Sequence, residues 1–276
     1  MFCNLERLTG SQEVDGSSPF FSTYIIMTNK RRNFLKKSAL LGGLPLVGFD
    51  QQVINTEKTP FSKINKGDTI LFQGDSITDS SREKQKELPN SPDSLGKGYA
   101  FLAASKMLNT LPKKDLTIYN RGISGNKVHQ LADRWDKDAL DLKPDWISIL
   151  IGVNDYWHML NHGFKGTFET YENDYRKLLK RTKEALPDVK LIICQPFAIP
   201  GTTAVDESWV KPFGKYQAVA QKLAIEFNAF WVPFQEVFDR AILDAPASYW
   251  IPDGVHPSIS GSQLMADEWI KVIESA

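Results

Sequence analysis

Thr69-Ile70-Leu71-Phe72-Gln73-Gly74-Asp75-Ser76-Ile77-Thr78 joins a β-branched and aromatic run to a turn that carries a serine. An apolar run ending in small turn residues is a buried strand passing into a loop. Ligands of parallel α/β sheets bind at the carboxyl ends of the strands, so this reading puts Ser76 at a rim that a substrate can reach. Gly-Asp-Ser is equally an ordinary turn or helix cap, and the stretch alone leaves both readings open.

Outward from it, short apolar runs alternate with amphipathic segments from residue 68 onward, the pattern of successive βαβ units and a parallel sheet. Strands are expected near residues 68–73, 115–120, 145–151, 189–195 and 229–233. Between them, Val128, Leu131, Ala132 and Trp135 form one helical stripe. Phe168, Tyr171, Tyr175, Leu178, Leu179 and Thr182 form a second, and Tyr216, Val219, Ala220, Leu223 and Phe227 a third. A last amphipathic helix is expected from about Ser260 to Ile273. The polar, aperiodic run from Ser81 to Lys97 reads as a loop over the Ser76 end of the sheet, and a second loop runs from Pro196 to Phe213.

The 276 residues suffice for one sizeable core. The formal net charge of zero offers no field for a polyanion, so nucleic acid is not an expected partner. Only Cys3 and Cys194 occur, without a CxxC or a paired Cys/His spacing, so neither a disulfide framework nor a zinc site is expected.

Three segments follow from the N-terminal pattern. Residues 1–26 precede what reads as a natural start at Met27 and are set aside as a non-native, over-extended reading or a disordered leader. Residues 27–55 hold Lys30-Arg31-Arg32-Asn33-Phe34-Leu35-Lys36-Lys37 and then an apolar segment from Ser38 to Phe49, too short to span a bilayer. That order resembles a twin-arginine export signal and implies a periplasmic or extracellular protein. Residues 60–276 are expected to form the one α/β domain that carries Ser76. Without residues 1–50, 27 basic side chains face 29 acidic ones, a net charge of −2.

A nucleophilic serine needs a base, an orienter for that base and donors for the oxyanion. The chain has four histidines. His129 falls in a helical stripe. His158 and His162 are spaced to share a metal, but lack the glutamate and third ligand of familiar motifs. His256 stands in Asp253-Gly254-Val255-His256-Pro257, on a loop before the last helix. There a carboxylate three residues earlier can hold Nδ1 and leave Nε2 for a serine. Two more loops leave strands at the same rim. Asn120-Arg121-Gly122-Ile123-Ser124-Gly125-Asn126 offers the Gly122 N–H, and Gly152-Val153-Asn154-Asp155 offers the Asn154 amide. Singly, these are common turn and cap residues. Their joint placement at the ends of successive βα units points to one site.

Gly74-Asp75-Ser76, Gly122, Asn154 and Asp253/His256, in that order over residues 68–272, resemble the SGNH (GDSL-type) hydrolase superfamily. The stretches Gly74–Asp79, Asn120–Asn126, Asp145–Trp157 and Val255–Ser258 are similar to its acetylxylan-esterase-like subgroup. The resemblance implies a flavodoxin-like three-layer α/β/α sandwich on a five-stranded parallel sheet. It also implies ester hydrolysis without metal or cofactor, often on acetylated sugars. Ser76 would be the nucleophile, His256 the base and Asp253 its orienter, with the Ser76 and Gly122 N–H groups and Asn154 as oxyanion donors. Trp157 and Trp250 are candidate platforms for a sugar ring. Alternatives are a lipase or lysophospholipase, a thioesterase, or a carbohydrate-binding protein without turnover. The α/β-hydrolase fold fits poorly, because Thr78 stands where its G-x-S-x-G elbow needs glycine.

Overall fold

The computed structural model describes residues 60–276. The expected leader, the export signal and Cys3 lie outside the described residues. All five expected strands form: β1 (Thr69–Gly74), β2 (Thr117–Asn120), β3 (Trp146–Leu150), β4 (Lys190–Cys194) and β5 (Phe230–Val232). Every neighbouring pair is parallel, in the order β2-β1-β3-β4-β5. β3 is buried along its whole length and β1 from its second residue, which is why both read as continuous apolar runs rather than as an alternation. Ile70, Leu71 and Phe72 lie opposite Trp146, Ile147 and Ser148. The chain leaves β1 outward to β2 and returns across it to β3, so the topological switch falls at the carboxyl ends of β1 and β3.

In chain order the helices are α1 (Ser76–Asp79), α2 (Pro92–Leu95), α3 (Tyr99–Thr110), α4 (Val128–Asp133), α5 (Trp135–Asp138) and α6 (Val153–Asn161). They continue with α7 (Phe168–Ala185), α8 (Val210–Glu226), α9 (Phe234–Ala241), α10 (Ala247–Trp250) and α11 (Ile259–Glu274). α3, α9 and α11 pack together in one layer, and α4, α7 and α8 in the other. This is the expected α/β/α sandwich. Indole N–H groups fasten the helices: Trp269 of α11 packs on Phe72 and donates to Ser148 Oγ of β3, while Trp135 of α5 donates to Thr182 Oγ1 of α7. Among the described residues no helix is long and apolar enough to cross a membrane.

Three features depart from the sequence reading. α3 and α9 were not expected; the buried side of α3 is largely alanine, which lets it approach α11 closely but leaves a faint stripe, whereas α9 is a short helix of eight residues directly after β5. α8 begins at Val210, inside the expected loop; Pro212 falls in its first turn, where no intrahelical N–H is needed. The Ser81–Lys97 segment is fastened along the open edge of β2. Asn90 accepts through Oδ1 from the Ile118 N–H, donates through Nδ2 to Leu116 O, and donates its backbone N–H to Ile118 O. That edge is thereby paired rather than left as a template for another strand.

Ile147 is fully buried at the centre of β3. Ile147→Ala is expected to lower the unfolding free energy by about 2–5 kcal/mol, measured by urea unfolding, because the close-packed sheet cannot collapse onto the void.

Candidate active site

Ser76 is the first residue of α1, two positions past the end of β1. Asp75 caps that turn, its carboxylate accepting the Ile77 N–H at 3.0 Å. The far side of the turn is held by Asn120 Nδ2, which donates to Thr78 O at 2.6 Å, and by Tyr99 OH, 3.2 Å from Thr78 Oγ1. A single helical turn has little stability of its own, so these side chains fix where the Ser76 hydroxyl points.

His256 reaches that hydroxyl from the other end of the chain. Asp253 Oδ1 accepts the N–H groups of Val255 and His256 at 2.9 and 2.7 Å, which closes a tight turn. Its Oδ2 accepts His256 Nδ1–H at 2.7 Å, and His256 Nε2 lies 2.8 Å from Ser76 Oγ. With Nδ1 donating, Nε2 is left to accept the serine proton. Burial pushes Asp253 up, but the His256 side chain and the two N–H groups outweigh it and bring the carboxyl down to about 2. The Asp253 hydrogen bond raises His256 above its ordinary value, against the pull of burial. Just beyond the turn, Ser258 caps α11 by accepting the Gly261 N–H, so the loop hangs from the start of the last helix.

The loop after β2 corrects one expected donor. The Gly122 N–H is already spent on Asn120 Oδ1 at 2.9 Å. Gly122 is also packed so tightly on α1 that a Cβ there would run into the Asp79 amide nitrogen. Close backbone approach, not oxyanion binding, is what requires glycine at 122. Three residues on, Gly125 has φ +78°, a left-handed conformation that favours glycine. Among the described residues, its N–H and that of Ser76 have no hydrogen-bond partner. The loop is fastened to α1 by Asp79 Oδ2, which accepts the Ser124 N–H and hydroxyl at 2.9 and 2.7 Å, and to β1 by the Ile123 N–H on Gly74 O. Asn154, in the first turn of α6, donates one amide hydrogen to Asn126 O at 3.2 Å, which leaves the other unspent.

The two expected tryptophans separate. Trp157 is half-buried with its ring centroid 6.2 Å from that of His256, and it packs edge-on against the buried Trp209, a residue the sequence reading did not single out. Trp250 instead lies in the seam of α9 and α11, its indole N–H donating to Ala241 O. Those contacts make it a structural plug rather than a platform. His158 Nδ1 lies 3.1 Å from Lys127 Nζ, and His129 stacks on Phe164. No group of three or more His, Cys, Asp or Glu spaced to hold a metal occurs among the described residues. Cys194 is a buried free thiol, pushed up to about 12 by that burial.

A parallel α/β/α sandwich that brings serine, histidine and aspartate into one hydrogen-bonded line at its strand ends is built as a serine hydrolase. Residues 72–264 match the GDSL-like Lipase/Acylhydrolase family, and the chain belongs to it. An acetylxylan esterase of Geobacillus stearothermophilus is 34% identical over 215 residues, 76% of this chain and 96% of the relative. A crystal structure of an acetylxylan esterase from that organism superposes with a TM-score of 0.70 at 32% identity, covering 76% and 96% of the two chains. Solved variants of it described as catalytic mutants replace a serine, an aspartate and a histidine. A Parabacteroides merdae protein described as a GDSL-like lipase is 50% identical, with a TM-score of 0.75 and coverage of 76% and 97%.

Two buried carboxyls stand behind the site. Burial pushes Asp155 up to about 8 and Asp75 up to about 7, against the Val128 and Ile77 N–H groups that each accepts. Asp155 therefore takes up a proton on folding, and its contribution to stability falls as pH rises from its ordinary 3.8 to about 8. Asp155→Asn keeps the acceptor for Val128 but cannot ionise. Its unfolding free energy, followed by urea titration, is expected to decline less than that of wild type between about pH 4 and pH 8.

Proposed function

We propose that this chain is a serine esterase that removes short acyl groups, chiefly acetyl, from carbohydrate such as acetylated xylan or related glycans. The observation that carries the reading is the continuous line from the Asp253 carboxylate through His256 to Ser76 Oγ, with contacts of 2.7 and 2.8 Å. In this reading Ser76 Oγ attacks the ester carbonyl while His256 Nε2 takes its proton, and Asp253 stabilises the imidazolium that forms. The oxyanion is received by the unspent N–H groups of Ser76 and Gly125 and by the free amide hydrogen of Asn154. The imidazolium returns its proton to the departing sugar oxygen. Water, activated by the same imidazole, then hydrolyses the acyl-serine and releases the acid.

Two things favour a sugar ester: the acetylxylan esterase relative, and the half-exposed Trp157 beside His256, whose flat apolar face suits the face of a pyranose. The relative described as a GDSL-like lipase favours a second reading, in which a longer acyl chain is the substrate. Export belongs to the proposal too, because polymeric acetylated glycan lies outside the cell and the Arg31-Arg32 pattern precedes the domain.

Acetate release from acetylated xylan and a panel of other acetylated glycans, together with aryl esters of increasing acyl length, tests the reading. Wild type is expected to release acetate from at least one glycan and to prefer acetyl over long aryl esters, and Ser76→Ala is expected to abolish both. Ser76-dependent cleavage confined to long-chain esters would replace this reading with the lipase one.

A further inference from the structure

Arg134 is a nearly buried cation with no part in the chemistry described so far, its side chain only 15% exposed. It follows α4 and opens α5, and its guanidinium is spent on four acceptors from separate pieces of the site's frame. Nε donates to Asn126 Oδ1 at 2.9 Å, Nη1 to Arg121 O at 2.8 Å and to Asp138 Oδ2 at 2.9 Å, and Nη2 to Gly74 O at 3.4 Å. Arg121 and Asn126 bracket the glycine loop, and Gly74 ends the strand that delivers Ser76. The carbonyl of the same Asn126 accepts the amide hydrogen of Asn154. One planar fork therefore sets the distance between the end of β1 and both ends of the loop that carries Gly125. Through Asn126 it also sets which way the Asn154 amide turns.

We infer that Arg134 is a positioning residue for the oxyanion donors, holding the Gly125 N–H and the Asn154 amide in register with Ser76. The inference depends on the serine-esterase reading. Other anchors hold the middle of the loop: Asp79 takes Ser124, and Arg82 Nε donates to Gly122 O. Asn126, the residue after Gly125, is held by its side chain, among the described residues, through Arg134 alone. A lysine would keep the charge but not the fork, since a single ammonium cannot span acceptors on the loop's two ends and on β1. Substrate contacts made by Trp157 do not pass through Arg134, so the effect belongs in turnover rather than in substrate binding.

The test is a double-mutant cycle with Arg134→Gln and Asn154→Ala, reading kcat and KM on an aryl acetate at a temperature where circular dichroism shows each variant folded. Arg134→Gln alone is expected to lower kcat about 10- to 100-fold, with KM changed less than about threefold, as displaced oxyanion donors would do. In the Asn154→Ala background the same substitution is expected to cost much less, about threefold, because part of what it positions is already gone. Arg134→Lys serves the same cycle should the glutamine variant not fold. An unchanged kcat, a rise confined to KM, or an equal loss in both backgrounds would overturn the inference. Ser76→Ala in the same assay tests the esterase reading by itself: activity that survives there sinks that reading, whatever Arg134 does.

Discussion

The 2.7 Å contact between the Asp253 carboxylate and His256 Nδ1 governs what the rest of the molecule can do. The carboxylate sits three residues before the imidazole and also accepts two N–H groups of the intervening turn, so one side chain shapes the loop and selects the tautomer. His256 Nε2 then has one place to go, Ser76 Oγ on a turn that the first strand delivers. The sheet makes that meeting possible. The strand order reverses beside β1, so the loops after β1, β2 and β3 open on one crevice, and the last helix, packed on α3, returns the histidine loop to it.

The site is held by side chains because its pieces are too short to hold themselves. α1 is four residues long, and the glycine loop has no regular structure. Buried polar groups do the fastening: Asn120 to Thr78 O, Asp79 to Ser124, Arg82 to Gly122 O, and Arg134 to three carbonyl or amide oxygens and Asp138. Each such group is costly to bury alone and worthwhile only when satisfied, so the network specifies one arrangement. The motif carboxyls Asp75 and Asp155 fit the same logic. Burial pushes both up, to about 7 and 8, far from Asp253 at about 2, so they cap backbone N–H groups without carrying the full charge that Asp253 holds.

Much of this was legible in the sequence. A parallel sheet buried on both faces must be written as apolar runs, so all five strands could be placed, and Ser76, Asn154, Asp253 and His256 each stand beside turn residues at a strand or helix end. The failures are equally physical. A helix whose buried side is alanine, as in α3, hides its periodicity. Which of two glycines in Gly122-Ile123-Ser124-Gly125 keeps a free N–H depends on a side chain two residues earlier, since Asn120 occupies the first. The Ser-Gly-Asn turn was a usable signal for Gly125, because glycine there supplies the left-handed φ. Trp157 and Trp250 looked alike as aromatics beside loops; only packing separates the one near His256 from the one wedged between α9 and α11. Arg134 gave no local signal, because its four acceptors are scattered over residues 74 to 138.

The central claim is that Ser76 is an activated nucleophile, and its most direct test is covalent. Wild-type protein treated with a serine-reactive phosphonate and digested for mass spectrometry is expected to carry one adduct, on the peptide containing Ser76, and labelling should fall steeply in Asp253→Asn and His256→Ala. An unlabelled Ser76 in folded wild-type protein, or labelling indifferent to loss of His256, would contradict the account.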